Sequence, residues 1–143
     1  MDEKKLRENP FMTNMKFLQE FKEETEFDKI LKLLTVPSKS GVYISRYDIK
    51  KISQIVGVNE PIKERKEMLK DIFIYAKQMN KIREVLDAII DFIDYKISQY
   101  EEIEDNFPKS YNITQLWIKR AKKTKSIIET MKKEYDVLKD IYK

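Results

Sequence analysis

Cysteine and histidine are both missing from this 143-residue chain. Without cysteine there is no disulfide, no thiolate nucleophile and no thiolate metal site, and nothing in the composition points to an oxidising compartment. Without histidine the commonest general base and the commonest transition-metal ligand are gone as well. The di-iron centres that helical bundles often host lose the Glu-x-x-His motifs from which they are built. Glycine is nearly as scarce. Gly41 and Gly57 are the only two, too few and too isolated for a G-x-G-x-x-G turn or a P-loop. No apolar run approaches the roughly 18 residues that a membrane span requires, and Met1-Asp2-Glu3-Lys4-Lys5 leads into no apolar signal core. These absences predict a cytoplasmic protein that does not enter a membrane, binds no metal or cofactor and is not an enzyme.

What is present is apolar surface and charge in nearly equal measure. Hydrophobic residues make up 41% of the chain and charged residues 38%, the latter well above the roughly 25% of an ordinary globular protein. A chain of this length buries roughly 68 to 70% of the surface that it exposes when unfolded, so a single domain over residues 1–143 is expected to fold on its own core. The net charge of +4 is unevenly placed. Residues 1–108 carry 19 basic and 21 acidic side chains, whereas residues 109–143 carry 10 and 4, so the C-terminal quarter is the basic part.

Four prolines and the two glycines mark the element boundaries. From about Asn14 to Leu34, Phe17, Leu18, Phe21, Ile30, Leu31 and Leu34 recur mostly at the three- and four-residue spacings of an amphipathic helix, which Pro37 and Gly41 end. A shorter helix from about Arg46 to Val56 has Ser45 as N-cap, Asp48 as its capping-box partner and Gly57 at its C′ position. Asn59 is then predicted to cap a third helix with Pro61 in its first turn and Leu69, Ile72, Phe73, Ala76 and Met79 on its apolar face. The next stripe, Val85, Leu86, Ile89, Ile90, Ile93 and Ile97, points about a quarter turn away, which places a break near Gln78 to Asn80. In the last helix Trp117, Ala121, Thr124, Ile128, Met131, Tyr135, Leu138 and Tyr142 alternate at four and three residues, an unbroken heptad seam. Its partner is the preceding helix, through Ile82, Leu86, Ile89, Ile93, Tyr100 and Ile103. The predicted fold is therefore all-α: a bundle of about five helices with a long C-terminal antiparallel hairpin of residues 81–105 and 113–142. The loop from Pro37 to Gly41 is its candidate hinge.

Three groups of residues bear on function. Glu84, Asp87, Asp91, Asp94, Glu101 and Asp105 run along one helix face. Such a stripe could hold Mg²⁺ or Mn²⁺, but the hairpin sets it beside a lysine-rich helix, and a salt-bridged flank accounts for it better. Lys119, Arg120, Lys122, Lys123 and Lys125, with Trp117 just before them, are the candidate nucleic-acid contacts, since lysine and arginine neutralise phosphates and an aromatic ring can stack on a base. The seam places Trp117 in the core, however, and the cations wrap around much of the helix. Tyr43, Tyr47, Tyr75, Tyr95 and Tyr111 fall off the apolar stripes and are the candidate protein interface, because tyrosine offers a large rigid contact with a polar tip.

Two short resemblances complete the reading. Ile52-Ser53-Gln54-Ile55-Val56-Gly57-Val58-Asn59 resembles the turn of a helix-turn-helix, with Gly57 at the tight position. Lys63 stands where such a motif buries an aliphatic residue, and the mixed charges that follow would blunt phosphate attraction. Residues Ile72 to Leu86 resemble a helix–turn–helix passage in bacterial effector-associated, death-like domains. Those domains are helical adaptors, so the resemblance implies an adaptor role, although the long final hairpin does not suit their compact fold. The function expected is that of a non-catalytic protein–protein interaction module, an adaptor or small assembly subunit, whose partner is another protein or a second copy. DNA or RNA binding through the basic C-terminal helix is the alternative, and an enzyme using carboxylate, lysine or tyrosine chemistry the second alternative.

Overall fold

The computed structural model describes the backbone of residues 27–141 and the side chains of residues 27–136. The expected helix before residue 27, with Phe17, Leu18 and Phe21, lies outside the described residues, as do seam position Tyr142 and the side chain of seam position Leu138. Within them the chain is helical, without a strand. Helix α1 covers residues 27–34, α2 Pro37–Ser40, α3 Arg46–Ser53 with a 3₁₀ turn Gln54–Val56 appended, α4 Arg65–Gln78, α5 Ile82–Asn106 and α6 Tyr111–Ile141. A 3₁₀ turn, Pro108–Ser110, joins the last two. At 1.5 Å per residue these are about 38 and about 46 Å long, and they form the antiparallel hairpin expected from the heptad seam.

Local chemistry sets most of the boundaries. Ser45 accepts from the Asp48 amide at 3.1 Å while the Asp48 carboxylate accepts from the Ser45 amide at 2.9 Å, a complete capping box that starts α3. Gly57, at φ 71°, ends it: its amide donates to Gln54 and that of Val58 to Ser53. The break after Gln78 has the same form with asparagine in the glycine's place. Asn80 sits at φ 56°, its amide donates to the Lys77 carbonyl at 3.3 Å, and that of Lys81 donates to Ala76 at 2.7 Å. Both are the Schellman arrangement, in which a left-handed residue lets the last carbonyls find donors.

The third helix starts later than the sequence suggests, at Arg65 and not after Asn59. A residue before proline is pushed away from helical angles, which disfavours helix at Glu60, and tertiary contacts then hold residues 58–64 open. Arg46 Nε donates to the Lys63 carbonyl at 2.7 Å, and the Arg65 guanidinium donates to the carbonyls of Ile44 and Thr35 at 3.0 and 3.2 Å. With the second helix displaced to Arg65, the helix-turn-helix resemblance does not extend past Gly57. Met79 lies beyond the end of α4 and is exposed instead of buried.

The core is one cluster. Phe73 of α4 stacks on Phe27 of α1 at 4.9 Å, and Phe27 in turn faces Tyr135 of α6 at 6.3 Å. Leu69, Ile72, Phe73 and Ala76 from α4 meet Ile82, Val85, Leu86, Ile89, Ile93 and Ile97 from α5, and α6 adds Ile118, Ala121 and Ile128. The N-terminal elements thus cover the half of the hairpin that holds the start of α5 and the later part of α6. Lys125 with Asp94 at 2.7 Å, and Lys132 with Asp87, bridge its flank, the salt-bridged arrangement expected of the acidic stripe.

Two seam assignments need correcting. Trp117 is only half-buried, and Ile118 and Thr114 take the inward positions. Ile103 is exposed while Glu104 turns inward, accepting from Thr114 at 2.6 Å and Gln115 at 2.7 Å. The cause at Trp117 is the Ser40–Gly41 turn, which lies directly on that side of α6. A Cβ added at Gly41 would stand 2.6 Å from both the Trp117 carbonyl oxygen and the Ala121 nitrogen. No indole fits between them. The segment from Pro37 to Gly41, read as a hinge, is therefore a docked element.

Candidate interaction surface

Burial along the hairpin stops well before its end. From Ser98 to Phe107 no α5 side chain is buried, and in α6 before Ile118 only Thr114 is. About 14 Å of paired helix thus projects past the core, held together by the Glu104 hydrogen bonds to Thr114 and Gln115. A solvated hairpin end would be expected to carry polar side chains. This one carries Ile103, Phe107, Tyr111, Ile113 and Leu116, of which Phe107 and Ile113 are 66% and 63% exposed.

Most of these share one side of the hairpin. The Tyr100 hydroxyl donates to the Gly41 carbonyl at 2.6 Å, and Gly41 rests on the Trp117 carbonyl and the Arg120 side chain, so Tyr100, Trp117 and Arg120 flank the same groove. Ile103 and Phe107 continue from Tyr100 at helical spacing, and Ile113 and Leu116 precede Arg120 in the same way. The Ser40–Gly41 turn fills the lower part of the groove, where Thr124 Oγ1 donates to the Ser40 carbonyl at 2.9 Å. Beyond it, Ile103, Phe107, Ile113 and Leu116 remain exposed to the hairpin end.

Of the five candidate tyrosines, only Tyr111 belongs to this end. Tyr43 and Tyr47 are exposed beside α3, the former with the Arg65 guanidinium 4.5 Å above its ring and the latter with Lys51 at 4.7 Å. Tyr75 packs against the core from α4, and Tyr95 is exposed on α5, where its hydroxyl accepts from Gln99. They form no single patch. Ile103, Phe107, Ile113 and Leu116 were missed because sequence periodicity reports which residues can share a face, not whether anything covers that face.

The five basic candidates separate in the same way. Lys125 is engaged with Asp94 and Glu129. Arg120 lies over the Trp117 ring at 5.4 Å, occupying the aromatic face that a base would need. Lys119, Lys122 and Lys123 are exposed, form no ion pair among the described residues, and share one outward arc of α6.

A second site lies in the irregular segment before α4. Glu60 is 1% exposed, and neither of its carboxylate oxygens has a hydrogen-bond partner. Lys63 Nζ stands 3.6 Å from Oε1 but binds Asp71 at 2.6 Å. Burial, with the Asp71 carboxylate beside it, pushes the Glu60 carboxyl above its ordinary range. Burial would raise Asp71 too, but Lys63 outweighs it and holds that group low. An open cleft of about 500 Å³ adjoins the segment, lined by Lys50, Ser53, Gln54, Gly57, Val58 and Asn59. Among the described residues, no three carboxylates converge as a metal site would require, and no helix is long and apolar enough to cross a membrane.

Set beside known protein families, curated proteins and solved structures, the chain matches none of them.

Proposed function

We propose that this protein is a non-catalytic helical interaction module, an adaptor or small assembly subunit, and that the projecting end of the α5–α6 hairpin is its working surface. The observation that carries this reading is the run of large apolar side chains, Ile103, Phe107, Ile113 and Leu116, left in solvent on a rigid paired-helix frame. Scattered apolar residues are ordinary on a protein surface, but a contiguous group rimmed by polar residues marks a contact site. A frame ordered before binding also lowers the entropic cost of association.

The reading is tested by placing a photo-crosslinking amino acid at Phe107 or Leu116, and at Tyr47 or Tyr95 as controls, in cells that make the protein. A discrete adduct at the hairpin end but not at the controls is the expected result. Equal or absent labelling at all four positions would defeat it.

Lys119, Lys122 and Lys123 support a second reading, nucleic-acid binding, because they present unpaired charge on one arc. Binding of labelled DNA or RNA should then fall steeply with salt and disappear when all three become glutamate. Salt-insensitive binding, or none, removes this reading.

A further inference from the structure

A second heptad row runs along α6, on the side turned away from the core. Ile113, Leu116, Arg120, Lys123 and Ile127 alternate at three and four residues. At 100° per residue all of them, with Lys119, lie within about 60° of Leu116 around the helix axis. Thr114, Ile118, Ala121 and Ile128, the buried positions of α6, face the other way. Ile113, Leu116, Lys119 and Lys123 are exposed, and Arg120 and Ile127 are half-buried. The row is about 21 Å long, or about four turns of helix.

Its charge is of one sign. From Tyr111 to Ile128, α6 holds no acidic residue. Lys119 and Lys123 make no ion pair among the described residues, and Arg120 lies on the Trp117 ring without one. Lys125, on the opposite side of the helix, is the cation of this stretch that Asp94 and Glu129 engage. Large apolar side chains and uncompensated positive charge thus share one face.

This mixture separates the occupants. A nucleic acid would satisfy the cations but hold Ile113, Leu116 and Ile127 against charged phosphates. A second copy of this chain pairing through the same row would set cations against cations, and that repulsion disfavours self-association. A helix with its own three- and four-residue apolar row meets every position at once. Its apolar side chains interlock with Ile113, Leu116 and Ile127, and carboxylates beside them reach Lys119, Arg120 and Lys123.

We infer that the outward row of α6 binds an acidic amphipathic helix of another protein, packed along Ile113, Leu116 and Ile127 with its carboxylates on Lys119, Arg120 and Lys123. This rests on the interaction-module reading, carries its surface from the hairpin end along α6, and specifies the partner. The apolar contacts supply the affinity, and the cations set partner choice and the rate of encounter.

The test uses two labelled peptides of about 15 residues, both with leucine at i, i+3, i+7 and i+10, and with glutamate in one and lysine in the other beside the leucines. They are titrated with the full chain by fluorescence anisotropy. The glutamate peptide should bind at least about tenfold more tightly than the lysine peptide, and less tightly as salt rises. Ile113→Ser with Leu116→Ser should remove the binding, and Lys119→Glu with Lys123→Glu should erase the preference, all four positions being exposed so that the fold is retained. Absence of glutamate-peptide binding, or binding that ignores either pair of changes, overturns the inference. So does a dimer in light scattering that dissociates on Leu116→Ser. Capture of the chain by phosphatidylserine vesicles, lost on Ile113→Ser with Leu116→Ser, would overturn it in favour of a lipid surface. Each of these results leaves the crosslinking test intact: adducts at Phe107 or Leu116 would then point to a partner of different chemistry, and their absence would remove the interaction reading itself.

Discussion

The Tyr100 hydroxyl donates a hydrogen bond of 2.6 Å to the carbonyl of Gly41, a residue 59 positions away in sequence. Thr124 makes the matching contact from α6, to the Ser40 carbonyl. Together they fasten the α2 turn across both hairpin helices. This turn marks where the hairpin stops being core and starts being surface, so it also fixes which apolar residues remain in solvent.

Gly41 is the least replaceable residue of that contact. Alanine there meets two penalties, a φ of 81° and a Cβ 2.6 Å from α6 backbone atoms. Gly57 has a similar φ of 71° but open space around it. Gly57→Ala should therefore cost about 1 kcal/mol, the ordinary expense of a left-handed alanine. Gly41→Ala should cost clearly more, about 3 kcal/mol or above, as read by urea denaturation. Equal losses would show that the turn does not sit on α6.

Thr124→Val keeps the shape of the side chain and removes the donor to the buried Ser40 carbonyl, which should destabilise the fold by about 1 to 3 kcal/mol. Tyr100→Phe should cost less, about 1 kcal/mol, because this contact is only partly buried. Burial raises the Tyr100 phenol above its ordinary 10.0. The folded chain then holds a proton that the unfolded chain has lost, so this contribution is complete below pH 10 and disappears as pH rises through the raised value. Tyr100→Phe should flatten that alkaline loss in denaturation curves measured across the range.

Glu60 contributes less to stability at neutral pH than below its ordinary 4.5. Its carboxyl is raised above 4.5, so its stabilising, protonated state is fully present below that pH and is lost as pH climbs through the raised value. Asp71 acts in the opposite sense, contributing above its ordinary 3.8 and failing as pH falls through its lowered value. Glu60→Gln removes the uncompensated charge and should gain about 1 kcal/mol at neutral pH and nearly nothing near pH 4.5. A loss of stability at neutral pH would mean that the ionised carboxylate has a partner in solution.

Much of this architecture could be read in the residues alone. The capping box of Ser45 and Asp48, the C′ role of Gly57, the break at Asn80 and the pairing of the two long helices all follow from local backbone chemistry or from one-dimensional periodicity, and each was placed within a few residues. The functional surface was less legible. The five tyrosines proved dispersed, and the basic cluster divided into an ion-paired lysine, an arginine lying on Trp117 and three outward lysines.

Helical period and capping are set by interactions between residues a few positions apart, so the sequence by itself determined the helices, most of their ends and the hairpin. Where α2 docks, why Trp117 is kept from the core, why α4 begins at Arg65 and how far the hairpin outruns its cover depend on contacts between residues tens of positions apart. Those contacts are decided by steric fit, such as a glycine against an α6 carbonyl or an arginine spanning two loop carbonyls, and only the tertiary structure settled them.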